Sequence, residues 1–493
     1  MKKFNILFLV LSLLFSACDS FLEENPASNL VSEQFFGSEA DAVAAINAVY
    51  DPLDGGAIFD GNINYMNSVE TDEAERGQYG SASEDFYNAH NITTDDGVIA
   101  SFWQANYIGI NRANLVIKYV PEIEDIDSDV QARIIGEARF LRSLYYINLV
   151  MAFGDVPLVS EPTESLSDLD KERTPTAKVY ELIEEDLKDA ELALPASYSS
   201  SGDIGRPTSG AASALLARAY LYQDKFGDAR TAALKVINSG NYSLFQDYGD
   251  LLLPEKKNGV EHIFSVQFLD GEVESAIGRY YGVNIVGGHP AIDIPFSLRG
   301  ESSWQIERSF YNAFPETYRK RITFLPTEIP QYDNEGNLTD SFPIAPHTIK
   351  YRDPGKVNNN NEEGDNNFNV IRYGDVLLMF AEADNEVNGP TEEGVAALNL
   401  IRQRARGVGL EDEDDASVYP DIDEGEVTQS ELRDIILDER KWELCFEGLR
   451  RWDLLRTDRY LDTFDDVTEK NLLFPIPLRE ITANSNLTQN SGY

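Results

Sequence analysis

The stretch "SALLARAYLYQDKFGDARTAALKVI", residues 213–237, decides the fold class. Ala217, Tyr220, Phe226, Ala229 and Ala233 follow one another at intervals of 3, 6, 3 and 4. Small residues at such spacing let two antiparallel helices approach closely, while the aromatics fill the wedge between successive pairs. No second copy stands at a fixed period, so the expectation is helical hairpins stacked in a degenerate array.

The rest of the chain supports that expectation. From 176 to 194 the apolar positions Val179, Ile183, Leu187, Ala190 and Leu194 step by 4, 4, 3 and 4, the helical period. Thr174 and Pro175 supply a cap and a first-turn proline. The same reasoning places helices near 38–50, 100–119, 127–153, 208–223, 227–238, 372–387, 391–406 and 429–456. Trp103, with Tyr107, Ile110 and Leu115 behind it, reads as core, and so do Trp442 and Trp452. The spacing in 213–237 resembles that of a tetratricopeptide unit. The fold class is therefore mainly α, with tetratricopeptide-like hairpins forming a superhelical scaffold. Between about 245 and 367 short apolar pieces are broken by Gly, Pro and Asn, which predicts a loop-rich insertion too long to be a mere connector.

Composition narrows the function classes. The chain carries 85 acidic against 41 basic residues, a formal charge of −44, which disfavours nucleic acid and acidic lipid surfaces as partners. With only Cys18 and Cys445 present, a disulfide framework and CxxC-type metal sites are excluded. Lys2 and Lys3 precede the apolar run "FNILFLVLSLLF" and the small residues of "SAC" (16–18), the pattern of a secretory leader. No later segment reaches the roughly 18 apolar residues of a membrane-spanning helix.

Several blocks carry a resemblance: "EARFLRSLYYINLVMAFGDVPLV" (137–159), "GRPTSGAASALLARAYLYQDKF" (205–226), "NVIRYGDVLLMFAEADNEVNG" (369–389), "DERKWELCFEGLRRWDLLR" (438–456) and the ending "LFPIPLREITANSNLTQNSGY". In order and together they resemble the SusD-like (SusD/RagB) outer-membrane nutrient-binding lipoproteins of Bacteroidetes, and "FSAC" resembles a lipobox whose Cys18 would be acylated, although Phe15 departs from its usual aliphatic first position. The resemblance implies a leader over 1–17, an N-terminal helical region over 18–244, a ligand-binding insertion over 245–367 and a C-terminal helical region over 368–493. It also implies a lipid-anchored, cell-surface location at the outer membrane and a SusC-like TonB-dependent transporter as partner. The function implied is capture of an oligo- or polysaccharide without chemistry and without a cofactor. The acidity favours a neutral glycan. Physically, the Arg and Glu residues of these blocks read as ion pairs between packed helices: Arg139, Arg142, Arg372, Glu382 and the charges of 438–456.

Sugar binding needs flat apolar faces for pyranose rings and a few planar donors and acceptors. Two segments offer both. The first, 69–97, contains Asp72, Arg76, Tyr79, Phe86, Tyr87 and Asn88; the second, 279–304, contains Arg279, Tyr280, Tyr281, His289 and Trp304. Trp304 reads as the better platform because its neighbours "GESSWQ" are polar. "DNEGN" (333–337) and "DIDEGE" (421–426) alternate acidic oxygens without completing a calcium loop, so no metal site is expected. Two other readings stay open: a secreted glycoside hydrolase using a carboxylate pair, and a purely structural interaction module. HExxH, GxSxG and phosphate-loop motifs are all missing, and the four histidines show no triad or metal spacing.

Overall fold

The computed structural model describes residues 35–163, 170–269, 271–284, 299–332, 335, 338–355 and 364–493. Ten helices build the scaffold: α1 (Glu39–Tyr50), α2 (Gly97–Tyr119), α3 (Ser128–Phe153), α4 (Thr176–Ala193), α5 (Ser209–Leu221), α6 (Phe226–Ser239), α7 (Tyr373–Asn388), α8 (Glu392–Ala405), α9 (Gln429–Glu443) and α10 (Arg450–Arg456). From α2 to α8 each helix packs on the next, and α9 returns to α7. The array is held closely where small residues meet. At the α5/α6 hairpin Ala217, Ala229 and Ala233 are all buried. On α2, a Cβ at Gly109 would fall 2.2 Å from the ring of Tyr145 on α3, so only glycine lets those helices cross.

Helix starts follow the sequence with one exception. Asp96, Asp127, Thr208 and Thr391 cap their helices with side-chain oxygens, and Thr428 with Glu431 forms a capping box at α9. The start of α4 differs from expectation: Thr174 is held in a bridge to Val156, and Asp155 Oδ1 accepts from the amide (2.7 Å) and hydroxyl (2.9 Å) of Thr176 instead. A cap delivered from a distant strand segment leaves no local sequence signal.

The expected helix over 429–456 is broken between α9 and α10. Phe446 and Gly448 both take positive φ (63° and 70°), a conformation costly for Phe. Buried cations offset that cost by binding the carbonyls the break frees. Lys350 Nζ donates to Cys445 O (2.9 Å), Arg372 to Glu443 O (2.7 Å) and Tyr351 to Phe446 O (2.7 Å).

The same cations close a charge lattice inside the core. Arg372 donates to Glu261, Glu443 and Glu447 at 2.6–3.0 Å. Arg319 pairs with Glu439 (2.8 Å) and Glu443 (2.7 Å), and Arg404 with Glu261 and Glu443. All these side chains are buried. Although burial opposes ionisation, Arg404, Arg372 and Arg319 together hold Glu443 far below the usual carboxylate range. Arg142 with Asp186 and Arg456 with Glu382 pair in the same way, in agreement with the structural reading of those residues. Trp103, Trp442, Trp452 and the free thiol of Cys445 are buried too, as expected.

Among the described residues the named strands pair in twos, all antiparallel. They are β1 (Ala74–Arg76) with β3 (Trp304–Ile306), β2 (His262–Val266) with β6 (Phe368–Arg372), and β4 (Glu328–Tyr332) with β5 (Leu338–Pro343). The β2/β6 ladder ties the two ends of the loop-rich stretch to each other beside α5. One apolar cluster runs from Ala42 to Leu487, with two small satellites under the insertion.

Candidate functional site

The two segments singled out in the sequence meet at β1/β3, where Arg76 stands opposite Trp304, Glu75 opposite Gln305 and Ala74 opposite Ile306. The approach is tight: a Cβ at Gly77 would lie 1.9 Å from Ser302 O, so only glycine lets the amide of residue 77 reach Ser303 O (2.7 Å). The preceding loop is anchored from α10. Arg450 grips Asp72 with two bonds (2.7 and 2.9 Å), Arg451 bonds Glu70 (2.6 Å), and Glu73 accepts from the amide of Phe446 (3.1 Å) at the helix break.

Beside this ladder opens a cleft of about 890 Å³. It is lined by Glu75, Arg76, Gln78, Asn88, Gln305 and Glu307, and by His90 with Thr463, Phe464 and Asp466 from the chain's C-terminal part. The lining is strongly polar, with five carboxylates, Asp72, Glu75, Asp85, Glu307 and Asp466, to the single guanidinium of Arg76. Burial would raise the carboxyl of Asp72, but Arg450 and then Lys441 bring it down to about 2. Glu75 moves the other way: burial, then the charge and hydrogen bond of Glu307, raise it. Below the cleft, Glu73 is pushed up to about 8 by burial and the charge of Asp72.

The expected site residues divide into surface and support. Tyr79 and Phe86 are 45% and 47% exposed and stand next to the cleft-lining Gln78 and Asp85. Arg76 lines the cleft and pairs with Asp85 (2.6 Å). Asn88 also lines it while fastening the loop, accepting from the Arg76 amide (2.6 Å) and donating to Val69 O (2.6 Å). Asp72 is spent on its cation clamp.

The reading of Trp304 and Tyr281 as exposed platforms is corrected, since they are 0% and 1% exposed. Their rings pack with Tyr65 and Tyr280 at centroid distances of 4.5–5.1 Å from the indole of Trp304. The pairing of β1 with β3 turns the Trp304 face of that strand into the core. Tyr87 is likewise buried, its hydroxyl donating to Asp96 (3.0 Å). Tyr280 is half-buried under the guanidinium of Arg279, which also pairs with Glu301 (3.5 Å). His289, Cys18 and most of "DNEGN" lie outside the described residues. In "DIDEGE", Asp421 pairs with Arg406 and Asp423 accepts from the Gly425 amide, forming a turn. Among the described residues no group of three or more His, Cys, Asp or Glu could hold a metal ion. Sequence reasoning missed His90, Phe464, Gln305 and Glu307, for which no local pattern gives a signal.

Comparison with known proteins assigns the class. Residues 20–221 match the family model described as "Starch-binding associating with outer membrane", and residues 301–471 match that of the SusD family. The chain is 31% identical over 528 residues to SusD-like protein P2 of Formosa agariphila, covering all of both chains. It therefore belongs to the SusD family. Among solved structures, a SusD superfamily protein of Parabacteroides distasonis superposes with a TM-score of 0.76 at 27% identity, over 94% of this chain and all of that one. A laminarin-binding SusD-like protein does so with 0.76 at 25% identity, over 93% and 100%.

Proposed function

We propose that this chain is a non-catalytic glycan-binding lipoprotein of the outer-membrane surface, acylated at Cys18, which captures a neutral oligo- or polysaccharide in the β1/β3 cleft and passes it to a SusC-like TonB-dependent transporter. The observation that carries the reading is the cleft itself. It is large enough for several sugar rings and is lined by planar polar side chains, and the exposed Tyr79 and Phe86 adjoin its lining residues Gln78 and Asp85 in sequence. Family membership and the laminarin-binding neighbour support the ligand class. The carboxylates of Asp72, Glu75, Glu307 and Asp466 around Arg76 support a neutral glycan, since uronate or sulfate groups would be repelled. Arg76, Tyr79, Phe86 and Asn88 are the direct contacts in this reading; Asp72, Tyr87, Tyr281 and Trp304 hold the surface in place. Arg279 and Tyr280 extend it on the side of the second segment.

A glycosidase is the competing reading. Glu75 and Glu307 are one carboxyl pair of the cleft, close enough that Glu307 raises the carboxyl of Glu75, whereas retaining and inverting enzymes hold their carboxyls roughly 5 Å or more apart. Affinity electrophoresis against laminarin, mannan, xylan and the uronate polymer alginate tests the proposal. Retention by at least one neutral polymer and not by alginate, with no new reducing ends, is the expected result. Retention by none, or release of reducing ends, overturns it. Loss of labelled palmitate on Cys18→Ser tests the anchor.

A further inference from the structure

The β1/β3 ladder turns one polar pair toward the cleft. Trp304 and Ile306 are buried in the core, so the alternation of the strand turns Gln305, which lies between them, to the opposite face. Glu75 stands directly across from it, and both residues line the cleft. Side chains opposite each other in an antiparallel pair leave their strands about 4.5–5.5 Å apart. Glu307 also lines the cleft, two residues beyond Gln305, and its amide extends the ladder by donating to Glu73 O (3.0 Å). The polar groups of the cleft are not equally available. Arg76 donates to Gly80 O (3.0 Å) and Asp85 (2.6 Å), Asn88 is bonded through both its oxygen and its nitrogen, and Asp72 is clamped by Arg450 and Lys441. By contrast, the side-chain amide of Gln305 has no hydrogen-bond partner among the described residues, and the carboxyl of Glu75 faces the like charge of Glu307, which Arg308 opposes. Both are half-buried and neither contributes to the sealed polar atoms of the core, so amide and carboxyl reach the solvent of the cleft.

We propose that Glu75 and Gln305 are the pair that reads the glycan: the Glu75 carboxylate accepts from one hydroxyl of a sugar ring while the Gln305 amide donates to a neighbouring hydroxyl. The inference rests on the glycan-binding reading of the cleft and names the contacts that set which hydroxyl pattern it takes. A sugar hydroxyl both donates and accepts, so it can satisfy a carboxylate, which only accepts, and an amide, which does both. Burial and the charge of Glu307 make an unmet carboxylate at Glu75 costly, and a donated hydroxyl relieves that cost. Specificity follows from the same pairing. A ring lacking either hydroxyl leaves one member of the pair unmet, the circumstance in which a polar site discriminates most strongly.

The test uses the full chain with laminarin, mannan and xylan as probes. Valine suits a strand and carries no side-chain hydrogen-bonding atom, so Glu75→Val and Gln305→Val remove the two bonds while keeping the ladder. Each is expected to weaken binding of whichever polymer the wild type retains by about tenfold or more, with an unchanged melting temperature. Threonine, equally compatible with a strand, replaces valine at a position where valine lowers the melting temperature, and the same thresholds apply. Glu75→Gln keeps an acceptor oxygen and is expected to lose less affinity than Glu75→Val. Affinity within twofold of wild type in either folded single variant, or a loss in Glu75→Gln as large as in Glu75→Val, overturns the reading pair while leaving the function of the cleft intact. A wild type that binds none of the three polymers overturns the glycan reading itself, and the pair with it.

Discussion

The charge lattice around Arg372 and the cleft beside β1 are made from the same residue types and are opposites in design. In the lattice each arginine meets two or three carboxylates, Lys350 meets one, and every group is buried. In the cleft acids outnumber bases and most groups reach solvent. Buried charge is tolerable only when fully paired, so the lattice fixes structure. Incomplete pairing at a solvent-filled cleft leaves hydrogen-bonding capacity for something else. Between the two lie Arg450 and Arg451, which anchor the loop of Asp72 and Glu70 to the helix break; the rigid part thus positions the adaptable part.

Removing one lattice cation should have the largest effect. Arg372→Leu takes one cation from each of three buried carboxylates, Glu261, Glu443 and Glu447, and is expected to cost about 3–5 kcal/mol in denaturant unfolding. A loss below about 1 kcal/mol would erase the contrast between the regions. Next comes Glu73, a buried carboxyl that accepts from the Ser68 hydroxyl and the Phe446 amide. Its folded pKa of about 8 lies above the ordinary 4.5, so its contribution to stability is full below pH 4.5 and is lost as pH rises through 8. Glu73→Gln mimics the neutral acid. It should match wild type near pH 4.5 and exceed it by about 3–5 kcal/mol at pH 9, as read from unfolding curves across pH.

On the cleft side the effects move from stability to binding. Tyr79→Ala and Phe86→Ala are each expected to weaken glycan binding by about 1–2 kcal/mol, seen in calorimetry, with melting temperatures unchanged. Smallest is Arg76→Ala in stability: its pair with Asp85 is well exposed, so unfolding should shift by less than about 1 kcal/mol. Glycan binding by the same variant is expected to fall clearly in calorimetry, because Arg76 is a direct contact in the proposed site, and that separation of binding from stability is the sharpest form of the comparison.

Much of the scaffold was legible because helices repeat locally. The 4, 4, 3, 4 steps of Val179 to Leu194 became α4, and the small residues of 213–237 became the α5/α6 contact. The break after Glu443 was not legible, because the cations that stabilise it, Lys350 and Arg372, come from other parts of the chain. The site was half legible: composition found the two segments that meet at β1/β3, but the polar neighbours of Trp304 gave the wrong side of a three-residue strand.

The sequence by itself determined the helical array, the acidic character, the family resemblance and the structural role of the paired Arg and Glu residues. Each of these depends on residue type or on spacing within one turn or two. Tertiary structure alone decided which rings face solvent and that His90 meets Phe464 across nearly the whole chain. Exposure and encounter are set by what packs against a residue, and those partners lie too far along the chain for any local pattern to record.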